Sequence, residues 1–464
     1  MKIMKRYILI ASAFMLVATA CNKELDILPQ QSVAEETALN SDANIKKVLN
    51  GAYDAIASGS LLGGDMQLFS ELFAADGEIR WEGTYNQPRE VWNKSILTTN
   101  SYVNAMWLEG YSTINISNNI LSAIDVVNEN DRDRVKGEAL FIRGLMYFEL
   151  VKLFAKPYSD GNVSGNLGIP IVLEPTRAIN EASYVARSTV EQTYTQIISD
   201  LTQAETLLPE TNSVFAQKVA AAAMLSRVYL QMANYEGARD AADRAIGYDR
   251  QSIVTPYGKA FNSGRLVETD NAAPSPEDIF RIMVSSQDGA NSMHLYWSIT
   301  LYSAREGDVS ILQKHLDLYD PTDKRLALFY TGAGNSLASN HPFRSGKWRF
   351  NYSNVPVVRL AEMYLTRAEA NFRLSTSVGA TPLEDVNYIR EMHAELPDLA
   401  AVDLDDILLE RKLELAHEGQ GIHDVKRLKL SVDGFAYNAN ELVLPIPERE
   451  VNASKNVIVQ NDGY

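Results

Sequence analysis

AAAMLSRVYLQMANYEGARDAADRAI, residues 221–246, combines large and small residues at the spacing of two short helices. Small side chains on the facing sides of two helices allow the backbones to approach closely. The residues at these spaced positions are Leu225, Ser226, Tyr229, Tyr235, Ala238, Ala242 and Ala245. The stretch therefore predicts two antiparallel helices in close contact.

These offsets are those of the tetratricopeptide repeat, and their agreement over a whole helix pair is a strong signal. The first half of the pattern recurs at Leu360, Ala361 and Tyr364, and more weakly at Gly144 and Tyr147. One such pair cannot bury its apolar face alone, so pairs stack against one another. The recurrences predict a body built of stacked helix pairs.

Apolar residues at helical spacing cover most of the remaining chain, whereas strand-like alternation is scarce. The predicted helical segments are 44–58, 101–128, 132–155, 189–208, 217–247, 357–374, 383–396 and 404–418. Two regions, 60–99 and 251–353, break this pattern and are rich in glycine and aromatic residues. Irregular regions of this length are usually functional or disordered, and the aromatic content argues against disorder. The predicted class is mainly α, with a loop-rich insert that contains little β structure.

The first 20 residues have the features of a secretory signal peptide: a cationic start, an apolar run over 7–17, and small residues directly before Cys21. Cys21 is the only cysteine, and its position resembles a bacterial lipobox, in which this residue becomes the acylated N-terminus. The alternative is an ordinary cleaved signal with an incidental thiol. Acylation would hold the protein on a membrane, at roughly 0.8 kcal/mol per buried CH₂ group. We expect a signal peptide at 1–20 and a lipidated tether at 21–33.

The composition excludes one class of partner. The chain has 464 residues, of which 46% are hydrophobic, and a formal net charge of −16. Its length allows one large core or two. A surface of this charge repels the phosphates of nucleic acids, and the sequence contains no basic patch that would overcome the repulsion. We therefore expect no nucleic-acid partner.

The segment ERKLELAHEGQGIHDVKRLK, residues 410–429, raises the question of catalysis because it holds two histidines and a Gly-x-Gly. A metalloprotease motif needs a second histidine four residues after His417, but Gly421 stands there. The six histidines show no zinc-ligand spacing, and no serine or cysteine nucleophile motif is present. We interpret the segment as a structural helix and turn. The sequence predicts no catalytic residue, no metal site and no cofactor.

Several further stretches follow one another along the chain: LDILPQ after the lipobox, YSTINISNNILSAI, EALFIRGLMYFELVKLFA, RLAEMYLTRAEANFRL, the 410–429 segment, and LVLPIPEREVNASKNVIVQNDGY at the end. Single motifs among them are degenerate, but their order and spacing resemble the SusD/RagB family. The resemblance spans nearly the whole mature chain. One departure is His423, which stands where the family usually has an aromatic residue.

The resemblance implies a SusD-like fold with four tetratricopeptide-type helix pairs, an N-terminal half at 34–250 and a C-terminal half at 251–464. Within the second half it implies an irregular insert at 251–353, helices at 357–418 and a C-terminal segment. It also implies a lipid-anchored protein on the cell surface, in the outer membrane of a Bacteroidetes bacterium. Members of this family act as lids on SusC-like TonB-dependent transporters and bind oligosaccharides or, in some members, peptides.

The resemblance places ligand contacts in the two irregular regions, on one face. A sugar-binding surface needs aromatic platforms beside hydrogen-bonding side chains. The side chains predicted to bind ligand are Trp81, Tyr85, Asn86, Tyr296, Trp297 and Tyr302. Trp81 and Tyr85 lack an apolar periodicity that would bury them, Arg305 lies near the last group, and Trp348 is a weaker candidate. For each aromatic residue the alternative is packing within its own loop.

We expect a surface lipoprotein, not an enzyme, that captures oligosaccharides and delivers them to a SusC-like transporter. A peptide-binding, RagB-like uptake lipoprotein is the alternative, and a surface glycan hydrolase and a scaffold that binds only protein are further hypotheses. The grouping of tryptophan and tyrosine with Asn86 and Gln87 favours a glycan ligand.

Overall fold

The computed structural model describes residues 38–177, 183–261, 274–289 and 291–464. Cys21, the predicted signal peptide and the predicted tether lie outside the described residues. The helices are α1 Asp42–Ile56, α2 Asp65–Phe73, α3 Asn86–Trp92, α4 Ser101–Ser122, α5 Glu129–Phe154, α6 Val190–Leu207, α7 Lys218–Gln231, α8 Tyr235–Gly247, α9 Ser292–Trp297, α10 Gln313–Leu316, α11 Leu360–Leu374, α12 Pro382–Ile389, α13 Leu404–Glu414, α14 Gly421–Arg427 and α15 Glu448–Ala453.

Short strands and single helical turns complete the described elements. The strands are β1 Ile79–Trp81, β2 Asp278–Ile282, β3 Val309–Ile311, β4 Phe329–Thr331, β5 Phe343–Ser345 and β6 Val355–Arg359. The 3₁₀ turns are Ile124–Val126, Tyr158–Asp160, Tyr257–Phe261, Thr300–Tyr302, Lys324–Leu328, Gly346–Trp348 and Asn440–Leu442, and a π-helical turn covers Arg390–Ala394. The mainly α class with little β structure is confirmed.

The helix pair predicted from residues 221–246 is present as α7 and α8. Ala238 is fully buried, and its carbonyl oxygen accepts a hydrogen bond from Ser226 Oγ at 3.1 Å. Asn234 caps α8 by accepting a hydrogen bond from the Gly237 backbone N–H. A Cβ at Gly237 would lie 2.8 Å from the Tyr229 ring, so the small residues set the close approach of the two helices.

The helices form a continuous stack. Neighbours along the chain pack together from α4 to α8, and α8 also packs on α11, which comes later in the chain. Helix α5 lies deep in this stack, since its residues from Gly137 to the C-terminus are all buried. Gly144 faces α6, where a Cβ would lie 3.1 Å from Leu201 Cγ. The small residue thus marks a close helix contact here as well.

Several predicted helices differ from the observed elements. The segment 404–418 is helical only to Glu414, and the segment 383–396 changes to a π-helical turn after Ile389. The segment 101–128 was predicted as one helix, but α4 ends at Ser122 and a 3₁₀ turn follows. The segment 357–374 was predicted as helix from its start, whereas its first three residues belong to strand β6, which pairs with β2. The apolar run VPVVR contains Pro356 and β-branched residues, which favour an extended backbone over a helix.

The strands form two small antiparallel sheets among the described residues. One has the order β1-β3-β5-β4 and the other pairs β2 with β6. The larger of two hydrophobic core clusters among the described residues runs through the helical stack and includes residues of both sheets. The sheets therefore attach the irregular regions to the helical body.

Candidate functional site

Strand pairing brings the two irregular regions of the sequence together. Strand β1 lies in the region 60–99 and β3 in the region 251–353, and they pair with Trp81 opposite Val309 and Ile79 opposite Ile311. The aromatic residues singled out in the two regions become neighbours through this pairing. Their centre is a cluster of four rings, the Tyr85 cluster: Trp81, Tyr85, Tyr102 and Tyr296.

The rings of the Tyr85 cluster contact one another at angles typical of aromatic pairs. The Tyr296 ring centre lies 5.8 Å from that of Trp81 and 6.5 Å from that of Tyr85. The hydroxyls of Tyr102 and Tyr296 are hydrogen-bonded at 3.0 Å. Burial raises the pKa of both hydroxyls, so both stay neutral.

The expectation that Trp81 would be exposed is wrong. Its side chain is 2% exposed, because β1 alternates buried, exposed and buried residues and Trp81 points inward. Its indole Nε1 donates a hydrogen bond to the Tyr85 carbonyl oxygen at 3.1 Å. Trp81 therefore supports the loop that presents Tyr85.

Trp297 and Trp348 are also buried and offer no open ring face. Trp297 is 0% exposed, and its ring centre lies 4.7 Å from that of His417. The Trp348 indole Nε1 donates a hydrogen bond to the His417 carbonyl oxygen. Tyr296, too, is buried. These three aromatics pack beneath the surface, and their partners lie on distant segments of the chain and not within their own loop.

The other predicted residues reach the surface. Tyr85 is 39% exposed, and Asn86, the first residue of α3, is exposed. The guanidinium carbon of Arg305 lies 3.9 Å from the centre of the Tyr85 ring, a cation–π contact that fixes the ring. Tyr302 is half-buried.

Tyr302 belongs to a second group of rings, the Tyr302 cluster, formed with Tyr330 and Phe350. The Tyr302 ring centre lies 5.7 Å from that of Tyr330 and 6.3 Å from that of Phe350. The guanidinium carbon of Arg349 lies 4.7 Å from the Tyr330 ring centre and 5.4 Å from the Tyr302 ring centre. Phe350 and Arg349 were not singled out in the sequence.

A polar groove of about 520 Å³ opens next to Tyr85. Its walls include Glu82, Thr84, Arg305, Asp308, Ala333 and Arg344. Arg305 holds the wall together, with Nε 2.5 Å from Asp308 Oδ2 and Nη2 3.0 Å from Thr84 Oγ1. Burial raises the pKa of Asp308, and the Arg305 ion pair opposes this shift.

Arg344 and Glu82 are held in the groove wall by further hydrogen bonds. Arg344 is buried and donates hydrogen bonds to the carbonyl oxygens of Gly332, Gly307 and Val309. Glu82 accepts a hydrogen bond from Ser310 Oγ. Thr84, Arg344 and Glu82 carry no motif that could have marked them, because their proximity depends on sheet pairing between distant segments. The only local signal was the position of Arg305 three residues after Tyr302.

The 410–429 segment includes the end of α13, a turn and α14, and Glu71 of α2 holds the turn in place. Glu71 Oε1 accepts backbone hydrogen bonds from Gly419 at 2.7 Å and Gly421 at 3.3 Å. His423 Nε2 lies 3.1 Å from Ser70 Oγ, also on α2. The Gly-x-Gly turn is thus fastened to the helix that leads into β1 and the Tyr85 cluster.

Comparison with known proteins identifies the family. Residues 24–230 match a family model described as SusD-like, "Starch-binding associating with outer membrane", and residues 322–442 match the model of the SusD family. The two segments do not overlap and together span more than half of the chain. The chain belongs to the SusD/RagB family. The resemblance found in the sequence is confirmed.

Relatives of this SusD/RagB protein match it over nearly its full length. The SusD-like protein P2 of Formosa agariphila is 25% identical over 99% of this chain and 100% of its own. A SusD-like protein of Bacteroides ovatus is 22% identical over 90% of this chain and 82% of its own. The match therefore includes both halves of the chain.

Solved structures show the same fold. A SusD superfamily protein from Bacteroides thetaiotaomicron superimposes with a TM-score of 0.80 at 24% identity, covering 91% of this chain and 99% of its own. A candidate sugar-binding protein from Bacteroides vulgatus gives a TM-score of 0.79 at 26% identity, covering 92% of this chain and 100% of its own. The SusD-like fold predicted from the sequence is confirmed.

One buried cluster of this SusD/RagB protein has the donor set of a metal site: Glu277, His393 and Glu414. Its charges are already balanced by protein cations. Arg359 contacts both carboxylates, and the His393 ring nitrogens lie 3.2 Å from Glu277 and 3.1 Å from Glu414. Burial alone would lower the pKa of His393, but the two carboxylates overcome it and raise the value to about 9. We interpret the cluster as an imidazolium ion-pair network.

Within the described part of this SusD/RagB protein, no helix combines the length and apolar character needed to cross a membrane.

Proposed function

We propose that this SusD/RagB protein is a cell-surface lipoprotein that captures oligosaccharides at the groove beside Tyr85 and delivers them to a SusC-like TonB-dependent transporter. The observation that carries the proposal is the exposed Tyr85 ring, backed by Arg305 and placed at the edge of a polar groove. No covalent chemistry is needed for this function, and we assign the protein no enzymatic activity.

The arrangement suits the chemistry of sugars. A pyranose presents a flat C–H face that packs on an aromatic ring, surrounded by hydroxyls that donate and accept hydrogen bonds. Tyr85 offers such a ring, and Asn86, Thr84 and Glu82 offer polar groups beside it. Tyr302 provides a second ring on the segment that continues to Arg305.

The predicted site residues take two roles in this proposal. Tyr85, Asn86 and Tyr302 contact the ligand, since they reach the surface. Trp81, Tyr296 and Trp297 hold the surface loops from below, since their side chains are buried. A shallow site of this kind is already formed before ligand arrives, which lowers the entropic cost of binding.

The relatives support a carbohydrate ligand. The first family model is described as starch-binding and associating with the outer membrane, and one solved structure is described as a candidate sugar-binding protein. Delivery to a transporter and the surface location are extended to this chain from the same family. Cys21 is the proposed lipid anchor, as the only cysteine and the end of a signal-like segment.

Native affinity gels containing single polysaccharides, combined with an assay for released ends, test the capture function. We expect the mature protein to be retarded by at least one plant, host or microbial glycan without releasing reducing ends. Release of reducing ends would indicate a hydrolase. If the protein bound peptides and no glycan slowed its migration, peptide capture would replace the proposal. If it bound neither glycans nor peptides, the protein-binding scaffold would be the remaining hypothesis.

The membrane anchor is tested separately in the native host or a related bacterium. Cys21→Ala should move the protein from the membrane fraction to a soluble fraction, because the acyl chains supply the membrane affinity. Cys21→Ser is a closely matched second variant that also removes the thiol. Unchanged membrane association of both variants would contradict the lipoprotein assignment.

A further inference from the structure

Arg349 occupies an unusual electrostatic position in the Tyr302 cluster. Its guanidinium lies against the rings of Tyr302 and Tyr330, and its side chain is half-buried. Nε is sealed from solvent and has no hydrogen-bond partner. The ring contacts thus hold the guanidinium in place from the protein side.

The guanidinium of Arg349 has no carboxylate partner in the part of the chain that the structure describes. The other arginines near the groove are occupied: Arg305 pairs with Asp308, and Arg344 donates to three backbone carbonyls. Arg80 pairs with Glu82. Arg349 therefore presents a positive charge beside the Tyr302 ring, and its terminal N–H groups make no hydrogen bond or ion pair with other described residues.

A fixed guanidinium with free terminal N–H groups recognises a carboxylate best. The planar fork matches two carboxylate oxygens with two parallel hydrogen bonds. Partial burial strengthens this interaction, because less water screens it. The adjacent Tyr302 ring provides a flat face on which the sugar that carries the carboxylate can pack.

The charge of the whole molecule limits the kind of acidic ligand. The net charge of −16 repels densely charged polyanions, but charges beyond about 8 Å are largely screened at physiological salt. A single acidic sugar among neutral ones would be attracted strongly by Arg349 and repelled only weakly by the rest of the surface.

We propose that Arg349 and Tyr302 form a carboxylate subsite that selects oligosaccharides containing a hexuronic acid. The proposal rests on the oligosaccharide-capture function and adds a substrate class to it. In the bound state the carboxylate of the uronic acid accepts hydrogen bonds from the two Nη groups of Arg349. The sugar ring of the same uronic acid packs on the Tyr302 ring.

Isothermal titration calorimetry with matched oligosaccharides tests the subsite without any variant. Each uronic-acid oligosaccharide is compared with its methyl ester and with the neutral sugar obtained by reducing the carboxyl group. For the oligosaccharide that binds best, we expect the acid form to bind about tenfold more tightly than the methyl ester and the reduced form, because only the acid form can accept a pair of charge-assisted hydrogen bonds. Equal affinity for all three forms would overturn the subsite.

Arg349→Gln should bind the acid no more than about twofold more tightly than the neutral form, because the charge that distinguishes the two ligands is gone. Arg349→Lys keeps the charge but loses the planar fork, so an intermediate preference is expected. Arg250→Gln removes one positive charge from an exposed ion pair with Glu210 and should keep the full preference. Circular dichroism of each variant is the control for correct folding. A full preference in Arg349→Gln would overturn the assignment.

The outcomes separate this subsite from the capture function. Tight binding of neutral oligosaccharides without a preference for the acid contradicts only the subsite. Binding of no oligosaccharide at all contradicts both. Binding of peptides with a free C-terminal carboxylate, and of no sugar, would also contradict both and assign Arg349 to peptide recognition.

Discussion

Gly419 is the point at which the 410–429 segment leaves no room for a side chain. Its φ is +82°, and a Cβ would lie 2.8 Å from the backbone Cα of Gln67. Its N–H donates to Glu71 Oε1. A residue with a side chain would have to adopt a strained backbone and push α2 away, so packing requires glycine here.

Gly419→Ala should lower the free energy of unfolding by on the order of 1–3 kcal/mol, because it combines left-handed backbone strain with a backbone clash. Gly51→Ala, on the exposed side of α1 with no atom within 4 Å of the added Cβ, is the matched control. It should stabilise the protein by roughly 0.5–1 kcal/mol. Urea unfolding measures both, and equal midpoints for the two variants would contradict the packing assigned to Gly419.

His393 is a second residue whose environment determines a measurable property. It lies between the carboxylates of Glu277 and Glu414 and carries a raised pKa of about 9. The unfolded chain would titrate near the ordinary value of 6.5. Since the folded pKa is the higher one, the stabilisation is complete below pH 6.5 and is lost as the pH rises to about 9.

As the pH is raised from 6.5 to 9, the free energy of unfolding of the parent should therefore decrease by on the order of a few kcal/mol. The urea midpoint should decrease with it. His393→Gln should be less stable at pH 6.5, because it leaves two buried carboxylates with fewer partners. Its stability should change much less over the same pH range. An equally steep loss of stability in His393→Gln would show that another group causes the effect.

At the scale of elements, the helix pair α7 and α8 shows why small residues were informative. Ala238, Ala241, Ala242 and Ala245 are all buried on the contact face of α8. This face packs on α7 and α11. Larger side chains at these positions would separate the helices and break the stack on both sides.

Ala238→Leu should overpack the contact with α7 and cost about 1–3 kcal/mol of unfolding free energy. Ala43→Leu makes the same chemical change at an exposed position in the first turn of α1. It should leave the melting midpoint nearly unchanged. If Ala238→Leu melted at the parent temperature as well, the contact would be assigned to the wrong residues.

The elements that could be predicted from the sequence are those whose residue spacing lies within one short stretch of the chain. The helix pair at 221–246 could be found because its spacing and its cap at Asn234 lie within one short stretch. Strand β6 was missed at the start of a predicted helix, because its partner β2 is far away in sequence. A short apolar run fits either a strand or a buried helix until the partner is known.

At the scale of the whole molecule, the small β1-β3-β5-β4 sheet attaches the ligand face to the helical stack. The sequence identified the two regions that form this face. It did not reveal that Trp81 and Trp297 are buried, because their burial arises from β1 pairing with β3 and from His417 of a distant segment. Loop tryptophans without periodicity therefore proved to be supports, while Tyr85 and Tyr302 reach the surface.

Capture of oligosaccharides at Tyr85 is the central claim, and calorimetry with the best-bound oligosaccharide tests it most directly. The parent is compared with Tyr85→Ala and with Tyr235→Ala, which removes a ring that is also stacked on an arginine, Arg373, but lies on α8. Loss of a central aromatic contact should weaken binding about tenfold or more in Tyr85→Ala. Tyr235→Ala should bind like the parent. If folded Tyr85→Ala bound the oligosaccharide as tightly as the parent, the site would be misplaced.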